Sequence, residues 1–296
     1  MPSSHPFNAL CLILCCALAA QAQRASVAVL DFGETEVGRR AGEELAARLR
    51  EQSPALVVAS RGAARAAAKG AGYAGSLNLS LEEARDLGAA VGADFLVAGA
   101  ADTVRRQSFA RPLYFESYAS VFAVSSFTGR LVAWQHLSAE AETAADAERE
   151  MSAKLRAAAG LLAAAVTAAR ERERAERKLS VERDTPVIED APEEGTDAAK
   201  DFRVPLPYRR IRPDYTAEAA RAGAEATIDA LVELDAAGEV KSVEIVRWGG
   251  YGLDESVAAT IRRMHFRPAL REGKAIPVRV LLRYNFRRPK EDAGKR

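Results

Sequence analysis

The chain has 296 residues, enough for about two domains, and its 48% hydrophobic and 28% charged content is ordinary for a globular protein. Its formal net charge of +1 excludes a strong overall field that would attract nucleic acid or a membrane. The three cysteines, Cys11, Cys15 and Cys16, all lie near the start, so the remainder can form neither a disulfide nor a thiolate metal site.

The first 22 residues predict a signal peptide. An apolar run of 14 residues, from Phe7 to Ala20, is followed by the small-x-small cleavage pattern Ala20-Gln21-Ala22. The run is shorter than the roughly 20 residues that a membrane-spanning helix needs. We therefore expect export with cleavage after Ala22. Two alternatives stay open: lipid attachment at Cys15 or Cys16, and an uncleaved membrane anchor.

Residues 24–178 predict an α/β sandwich domain with a mixed sheet, in the order β-α-β-α-α-β-β-β-α. The continuous apolar run 26–32 is typical of a buried strand. Ser80 and Glu83 form a capping box for a helix over 81–91, and Thr128-Gly129 is a hairpin turn signal between two extended segments. A long helix from Ala144 onwards ends the domain and presents an apolar stripe to the sheet.

Residues 179–206 predict an acidic linker. Low hydrophobicity and excess charge favour disorder here. The alternative is that the segment folds back on the C-terminal part, which from Pro207 onwards has 18 Lys and Arg against 13 Asp and Glu. We interpret the linker as a solvated spacer. Its acidic residues are Glu182, Asp184, Glu189, Asp190, Glu193, Glu194 and Asp197.

Residues 207–288 predict a small β-β-α-β domain, followed by a charged tail at 289–296. Alternating apolar and polar residues over 227–235 and 240–247 indicate two strands joined by a turn at Gly238. A helix opens at Leu253, and a last strand runs from Pro277 to Phe286. The whole chain is therefore expected to combine an α/β domain with an α+β domain.

Several motifs of this segment, in this order, resemble the C-terminal domain of the TonB family. They are Gly238, Leu253-Asp254, Phe266-Arg267-Pro268-Ala269 and Gly273. The segment departs from the family at Thr216, where Pro is usual, and at Ala226, where Gly is usual. Both departures lie at the entrance of the domain and bear on partner contacts rather than on the fold.

The resemblance implies a non-enzymatic, periplasmic binding protein. Domains of this family take up the short N-terminal box of outer-membrane transporters as an added strand along their final strand. Carried over, the partner is an extended segment of an outer-membrane or periplasmic protein. The implied partner-binding residues are Pro213, Asp214, Tyr215, Pro277, Val278, Arg279, Val280, Leu281, Leu282, Arg283, Tyr284 and Phe286.

Residues 24–178 are in turn similar to the N-terminal α/β domain of TolB and to the related domain of CsgG-type curli-secretion lipoproteins. The similarity lies in the run 27–32, in residues 87–99 and in the Thr128-Gly129 hairpin. It implies a second periplasmic interaction domain without catalytic activity.

We assign no catalytic residue, cofactor or metal from the sequence. His136 and His265 lack any metal-ligand spacing around them. The pattern G-x-G-x-x-G at 70–75 follows a predicted helix rather than a strand, so we interpret it as a flexible loop and not as a nucleotide site. The arginines of the last strand alternate with apolar residues, which is typical of a half-buried strand and not of a nucleic-acid surface.

Three other functions stay open. The first is an envelope scaffold that binds peptidoglycan or an anionic envelope surface, or that forms a homodimer through the C-terminal domain. The second is an energy transducer with an uncleaved N-terminal anchor. The third, an enzyme or nucleotide-responsive protein built on the α/β domain, lacks a phosphate-binding motif.

Overall fold

A computed structural model describes residues 24–109, 111–180, 188–192 and 195–288. The predicted signal peptide, the charged tail at 289–296 and parts of the acidic linker lie outside these residues.

The N-terminal domain contains a five-stranded mixed sheet with the strand order β2-β1-β3-β4-β5. The first strand is parallel to β2 and β3, and the β3-β4-β5 part is antiparallel. The strands are β1 (Ala25–Val29), β2 (Leu56–Val58), β3 (Phe95–Arg106), β4 (Tyr114–Ser125) and β5 (Leu131–Ala141).

Four helices cover both faces of this sheet, which gives the predicted element order and confirms the expected sandwich. They are α1 (Glu36–Gln52), α2 (Arg61–Gly70), α3 (Leu81–Val91) and α4 (Ala144–Ser180). Leu45 of α1 and Leu155 of α4 share one core. Ala64 of α2 and Leu87 of α3 belong to a second core on the opposite face.

Helix α4 is, within the described residues, the one helix that is long and apolar enough to cross a membrane by length and composition. Its stripe of Met151, Leu155 and Leu162 is instead buried against α1 and the sheet. The structure therefore uses α4 as a core helix, as its periodicity predicted.

The described part of the linker is not a free spacer, contrary to expectation. It forms a single turn of 3-10 helix at Asp197–Ala199 and three short strands. The strands are β6 (Glu189–Asp190), β7 (Phe202–Arg203) and β8 (Leu206–Pro207). Each of them pairs with a strand of the C-terminal domain.

The C-terminal domain has the predicted β-β-α-β core. Its main sheet has the order β10-β9-β14-β6, and α6 packs on it. Its elements are α5 (Ala217–Ala222), β9 (Ala226–Leu234), β10 (Val240–Arg247), α6 (Leu253–Arg262), β11 (Phe266–Arg267), β12 (Ala269–Arg271), β13 (Lys274–Ile276) and β14 (Val278–Phe286).

The turn between β9 and β10 requires a glycine. Gly238 has φ +84°, and a Cβ there would lie 2.0 Å from the carbonyl oxygen of Phe266. The two backbones lie this close because the Phe266 amide donates a hydrogen bond to the Gly238 carbonyl at 3.1 Å. The close approach links two separate motifs of the sequence, Gly238 and the Phe266-Arg267-Pro268-Ala269 run.

The two domains are joined by a tryptophan that crosses the boundary between them. Trp248 follows β10, is 1% exposed, and belongs to the N-terminal core cluster. It stacks on Phe122 of β4 with the ring centroids 5.8 Å apart, and its Nε1 donates to the Gly129 carbonyl at 3.2 Å. Tyr251 contacts the rings of both Phe122 and Trp134.

Asn78 makes the main polar contact between the domains. Its Nδ2 donates to the carbonyls of Thr227 at 2.8 Å and Trp248 at 2.6 Å, and its Oδ1 accepts from the Thr227 amide at 3.0 Å. An ion pair between Arg247 and Glu83 at 2.9 Å lies beside it. The loop that contains the G-x-G-x-x-G pattern therefore leads into the domain interface.

Asp254 fixes the turn that carries Trp248. Its carboxylate accepts from the amides of Gly249 at 2.8 Å and Gly250 at 2.9 Å. Burial raises the pKa of Asp254 to about 6, although these two hydrogen bonds oppose the shift. Gly250 has φ +71° and lies against Phe122, so a Cβ there would be 2.2 Å from the ring.

Replacing Asp254 should change how stability depends on pH. The folded state binds the Asp254 proton more tightly than the unfolded state, whose carboxyl titrates near its usual pKa of about 4. The free energy of unfolding therefore falls as pH rises from about 4 to about 6, by up to ~3 kcal/mol. Asp254→Asn removes this contribution. Urea unfolding between about pH 4 and 6 measures the free energy of unfolding of both proteins. A difference between wild type and variant that stays constant with pH would contradict the raised pKa of Asp254.

Candidate functional site: the open edge of the last strand

The candidate site is the outer edge of β14. Along its inner edge this strand pairs with β9 without interruption, from Val278 opposite Leu234 to Phe286 opposite Ala226. On the outer edge, β6 pairs in parallel with Val278 and Arg279 alone. Within the described residues, the edge from 280 to 286 is open.

The register shows which backbone groups an added strand would meet. The Ala191 amide donates to the Arg279 carbonyl at 2.9 Å, so the backbone of Arg279 is directed to the outer edge. Successive residues of a strand direct their N–H and C=O groups to alternate sides. Leu281, Arg283 and Asn285 therefore present their backbone donors and acceptors at the open edge.

The side chains of β14 alternate between core and solvent, as the sequence pattern predicted. Val278, Val280 and Phe286 are buried, whereas the side chain of Leu281 is 54% exposed on the opposite face. Leu282 and Tyr284 are half-buried against the same core as the first three. An edge with this alternation can offer main-chain hydrogen bonds without exposing the core.

Carboxylates of β9 neutralise the arginines of β14. Arg283 binds Asp229 through two hydrogen bonds of 2.6 and 2.9 Å, and Arg279 binds Glu233 at 3.0 Å. The hydrogen bond from Arg283 is the main reason that the pKa of Asp229 lies below its usual value. This face is a ladder of ion pairs, not an uncompensated basic surface.

The predicted flank, Pro213 to Tyr215, lies at the far end of β14. The Tyr215 ring stacks on Phe286 with centroids 6.3 Å apart, and its hydroxyl donates to the Ala224 carbonyl at 2.8 Å. Asp214 is tied to α6, since its carbonyl accepts from the Ser256 hydroxyl at 3.0 Å. The structure thus brings the flank to the 286 end, while Pro277 precedes the other end.

Thr216, which departs from the family pattern, has a local role. Its hydroxyl oxygen accepts from the Ala219 amide at 3.1 Å and so caps α5. The same hydroxyl donates to the Tyr251 carbonyl at 2.5 Å. Tyr251 belongs to the interdomain turn, so Thr216 connects the flank to the domain interface.

The acidic linker occupies the start of the edge, which the sequence interpretation missed. Glu189 forms an ion pair with Arg271, and Asp190 lies 3.6 Å from Arg279. The signal was present in the sequence as an acidic segment beside a domain with excess positive charge. For residues 188–192 the fold-back alternative is the correct one.

His136 and His265 occupy structural or surface positions. A ring nitrogen of His136 lies 2.9 Å from the Ser120 hydroxyl, and burial lowers the pKa of His136. His265 lies on the surface beside Glu239 at 3.1 Å. Among the described residues, His, Cys, Asp and Glu form no group of three that could hold a metal ion.

Comparison with known families identifies the domain that carries this edge. Residues 211–287 match the sequence model described as "Gram-negative bacterial TonB protein C-terminal". This part of the chain is a TonB C-terminal domain. TonB C-terminal domains are periplasmic, non-catalytic protein-interaction domains. The match confirms the resemblance drawn from the sequence motifs.

Solved structures that resemble the chain have low sequence identity and low TM-scores. The TonB C-terminal domain of Pseudomonas aeruginosa is 19% identical, with a TM-score of 0.26, covering 31% of this chain and 91% of that one. The hypothetical protein CT253 from Chlamydia trachomatis is 15% identical, with a TM-score of 0.30, and the match covers 46% of this chain and 98% of that one. A PelC dodecamer from Paraburkholderia phytofirmans is 12% identical, with a TM-score of 0.32, and the match covers 47% of this chain and 89% of that one. No curated protein matches the chain.

Removing the cation of the Arg283–Asp229 pair should destabilise the TonB domain. Arg283→Gln leaves Asp229, which is 5% exposed, with Arg247 at 3.4 Å as its remaining charged partner. We expect a melting temperature several degrees lower, because a buried carboxylate that loses its partner is strongly unfavourable. Thermal unfolding followed by circular dichroism measures it.

Two further variants control for this interpretation. Asp229→Asn combined with Arg283→Gln should melt higher than Arg283→Gln alone, since the buried charge is then removed as well. Arg287→Gln, which breaks the exposed pair with Glu225, should change little. If the melting temperature fell equally in the single and the double variant, the unpaired charge of Asp229 would not be the cause of the destabilisation.

Proposed function

We propose that this protein is a non-enzymatic periplasmic protein of the TonB family. Its TonB domain binds an extended segment of an outer-membrane or other envelope protein, which adds as a strand to the open edge of β14. The export predicted for residues 1–22 supports the location, and the implied partner links the protein to TonB-dependent transport. The N-terminal α/β domain serves as a second interaction module.

The observation that carries this proposal is the pairing of β6 with β14. Residues Glu189 and Asp190 are not part of the domain core, yet they add to the edge as a parallel strand. The chain itself thus provides an example of strand addition at this position. Seven residues, 280–286, remain for an incoming segment, and strands of five or six residues are the commonest length.

The open edge is a suitable docking surface on physical grounds. Unpaired strand edges promote aggregation, and proteins usually shorten, charge or cover them. Here β6 and the preceding Pro277 protect the first part of the edge, while the remainder keeps a regular strand geometry. An extended peptide would pair with the free backbone N–H and C=O groups of β14 through main-chain hydrogen bonds, and its alternate side chains would give specificity.

A proline at the open edge should abolish binding. Leu281→Pro removes an outward N–H without removing a hydrogen bond to β9, because the backbone of residue 281 is directed away from β9. We expect affinity for a synthetic transporter-box peptide to fall about tenfold or more, which is ~1.4 kcal/mol or more. Isothermal titration calorimetry with the full chain measures it.

Leu281→Val is the matched control, because it keeps the N–H and the β-propensity of the position. Its affinity should equal that of the wild type. The proposal fails if transporter-box peptides do not bind the wild type, or if both variants bind equally well.

The acidic strand β6 should limit the length of the β14 edge that a partner can pair with. Glu189→Lys with Asp190→Lys reverses both charges that hold β6 against Arg271 and Arg279. Releasing β6 lengthens the open edge from seven residues, 280–286, to nine, 278–286, so we expect peptide affinity to rise by about 3- to 10-fold through the added main-chain hydrogen bonds. Calorimetric titration with the same peptide gives the ratio.

A second pair of acidic residues in the same segment provides the control. Asp197 pairs with Lys200 in an exposed contact, and Asp201 offers its carbonyl to the Glu272 amide. Asp197→Lys with Asp201→Lys makes the same change in net charge and should leave affinity unchanged. A rise in both double variants would indicate a general charge effect rather than release of the edge.

The scaffold alternative has one observation in its favour. Five exposed arginines, Arg209, Arg210, Arg212, Arg263 and Arg267, make no ion pair within the described residues. In this alternative, an anionic envelope surface such as peptidoglycan contacts these arginines. Cosedimentation with purified peptidoglycan tests it, and sedimentation velocity without peptide tests the homodimer.

A further inference from the structure

A groove of about 650 Å³ lies between the two domains, and no residue of β14 is among those that line it. One wall is formed by residues 130–134, at the start of β5, and the other by residues 243–245 of β10. Helix α6 closes one side with Asp254, Glu255, Ala258, Ala259 and Arg262. The volume falls within the usual range of ligand pockets.

Both walls are open sheet edges. Strand β5 ends the N-terminal sheet, and β10 ends the main sheet of the TonB domain. Consecutive residues of each strand line the groove, although consecutive side chains point to opposite faces. The backbone edges of the two strands therefore border the groove, and within the described residues no backbone hydrogen bond joins them.

The groove combines apolar walls with a nearly balanced set of charges. Leu131, Trp134 and Ile245 contribute apolar surface, and the almost fully buried Trp248 also borders the groove. Arg130 and Glu244 neutralise each other at 2.5 Å across the groove. The carboxylate of Asp254 is occupied by two backbone amides.

Two charges on α6 remain without a partner. Glu255 and Arg262 are exposed, and neither makes a side-chain hydrogen bond or ion pair within the described part of the chain. They lie seven residues apart, two helical turns or roughly 10 Å along the axis. An extended ligand that carries one basic and one acidic side chain would match this spacing.

We propose that this groove binds an extended, mainly apolar peptide segment of a partner protein, which lies between β5 and β10 and hydrogen-bonds to their edges. A helix satisfies its own backbone groups and would leave both edges unpaired. The edge of a second folded copy has a single free side, whereas a lone extended segment can pair on both sides. The site is separate from the proposed β14 site, because β10 lies at the opposite end of the TonB sheet.

The protein carries its own reporter for this site. The sequence contains two tryptophans, Trp134 and Trp248, and both line the groove. We would titrate the full chain with a pool of capped octapeptides of alternating valine and threonine that carry one lysine and one glutamate. A saturable change in tryptophan emission, with a Kd at or below about 1 mM, is expected.

Two modifications test the mode of binding. The same peptides with every second amide N-methylated lose donors that strand pairing needs, and should not bind. Ala259→Arg places a long side chain at the groove from an exposed helical position and should lower affinity about tenfold or more. Ala66→Arg, an exposed alanine on α2, is the matched control and should bind as the wild type does.

The outcomes separate this proposal from the one above. Leu281→Pro should leave the tryptophan signal intact, because it alters the β14 edge alone. A signal lost with Leu281→Pro but kept with Ala259→Arg would place the peptide at β14 and overturn the groove proposal. Binding of the N-methylated peptides, or no saturable change with the whole pool, would overturn it too.

Discussion

The arrangement of the protein depends on one side chain that belongs to one domain and is buried in the other. Trp248 leaves the end of β10 and completes the core between the N-terminal sheet and its helices α2 and α3. The turn around it is held by Asp254 and needs the free space of Gly250. Because the tryptophan ring, the Asn78 hydrogen bonds and the turn act together, the two domains have a fixed relation. The interdomain groove and the position of β14 follow from it.

The sequence was sufficient to predict the main elements of both domains, but not the short strands β11, β12 and β13. In the N-terminal domain the order of helices and strands followed from periodicity, from the Ser80 capping box and from the Thr128-Gly129 turn, all of which are local signals. In the TonB domain, Gly238 and Asp254 were recognised as parts of sequence motifs, and the structure shows why each residue is required at its position. Gly238 permits a close backbone contact, and Asp254 binds the amides of the Trp248 turn.

The contacts between distant segments could not be predicted in the same way. Asn78 and Trp248 are 170 positions apart, and no local pattern marks either as an interface residue. Composition predicted disorder for the acidic linker, because low hydrophobicity describes a segment in isolation. It does not include the arginines of another strand, so the pairing of β6 with β14 was missed. Strand β14 itself was predicted from its local alternation of apolar and polar residues, whereas its use as a binding edge was implied by the family resemblance and stays a prediction.

Strand addition at the outer edge of β14 has a mechanical consequence. Hydrogen bonds of a β-ladder join neighbouring strands sideways, perpendicular to the strands in antiparallel pairs and slanted in parallel pairs. Tension along a strand bound at this edge therefore loads all its hydrogen bonds together in shear, whereas tension across it breaks them one after another, as a zipper opens. Because β14 is locked to β9 along its full length, the sheet resists the same shear on its inner side. A partner held here would withstand a pull along its own axis far better than a sideways one.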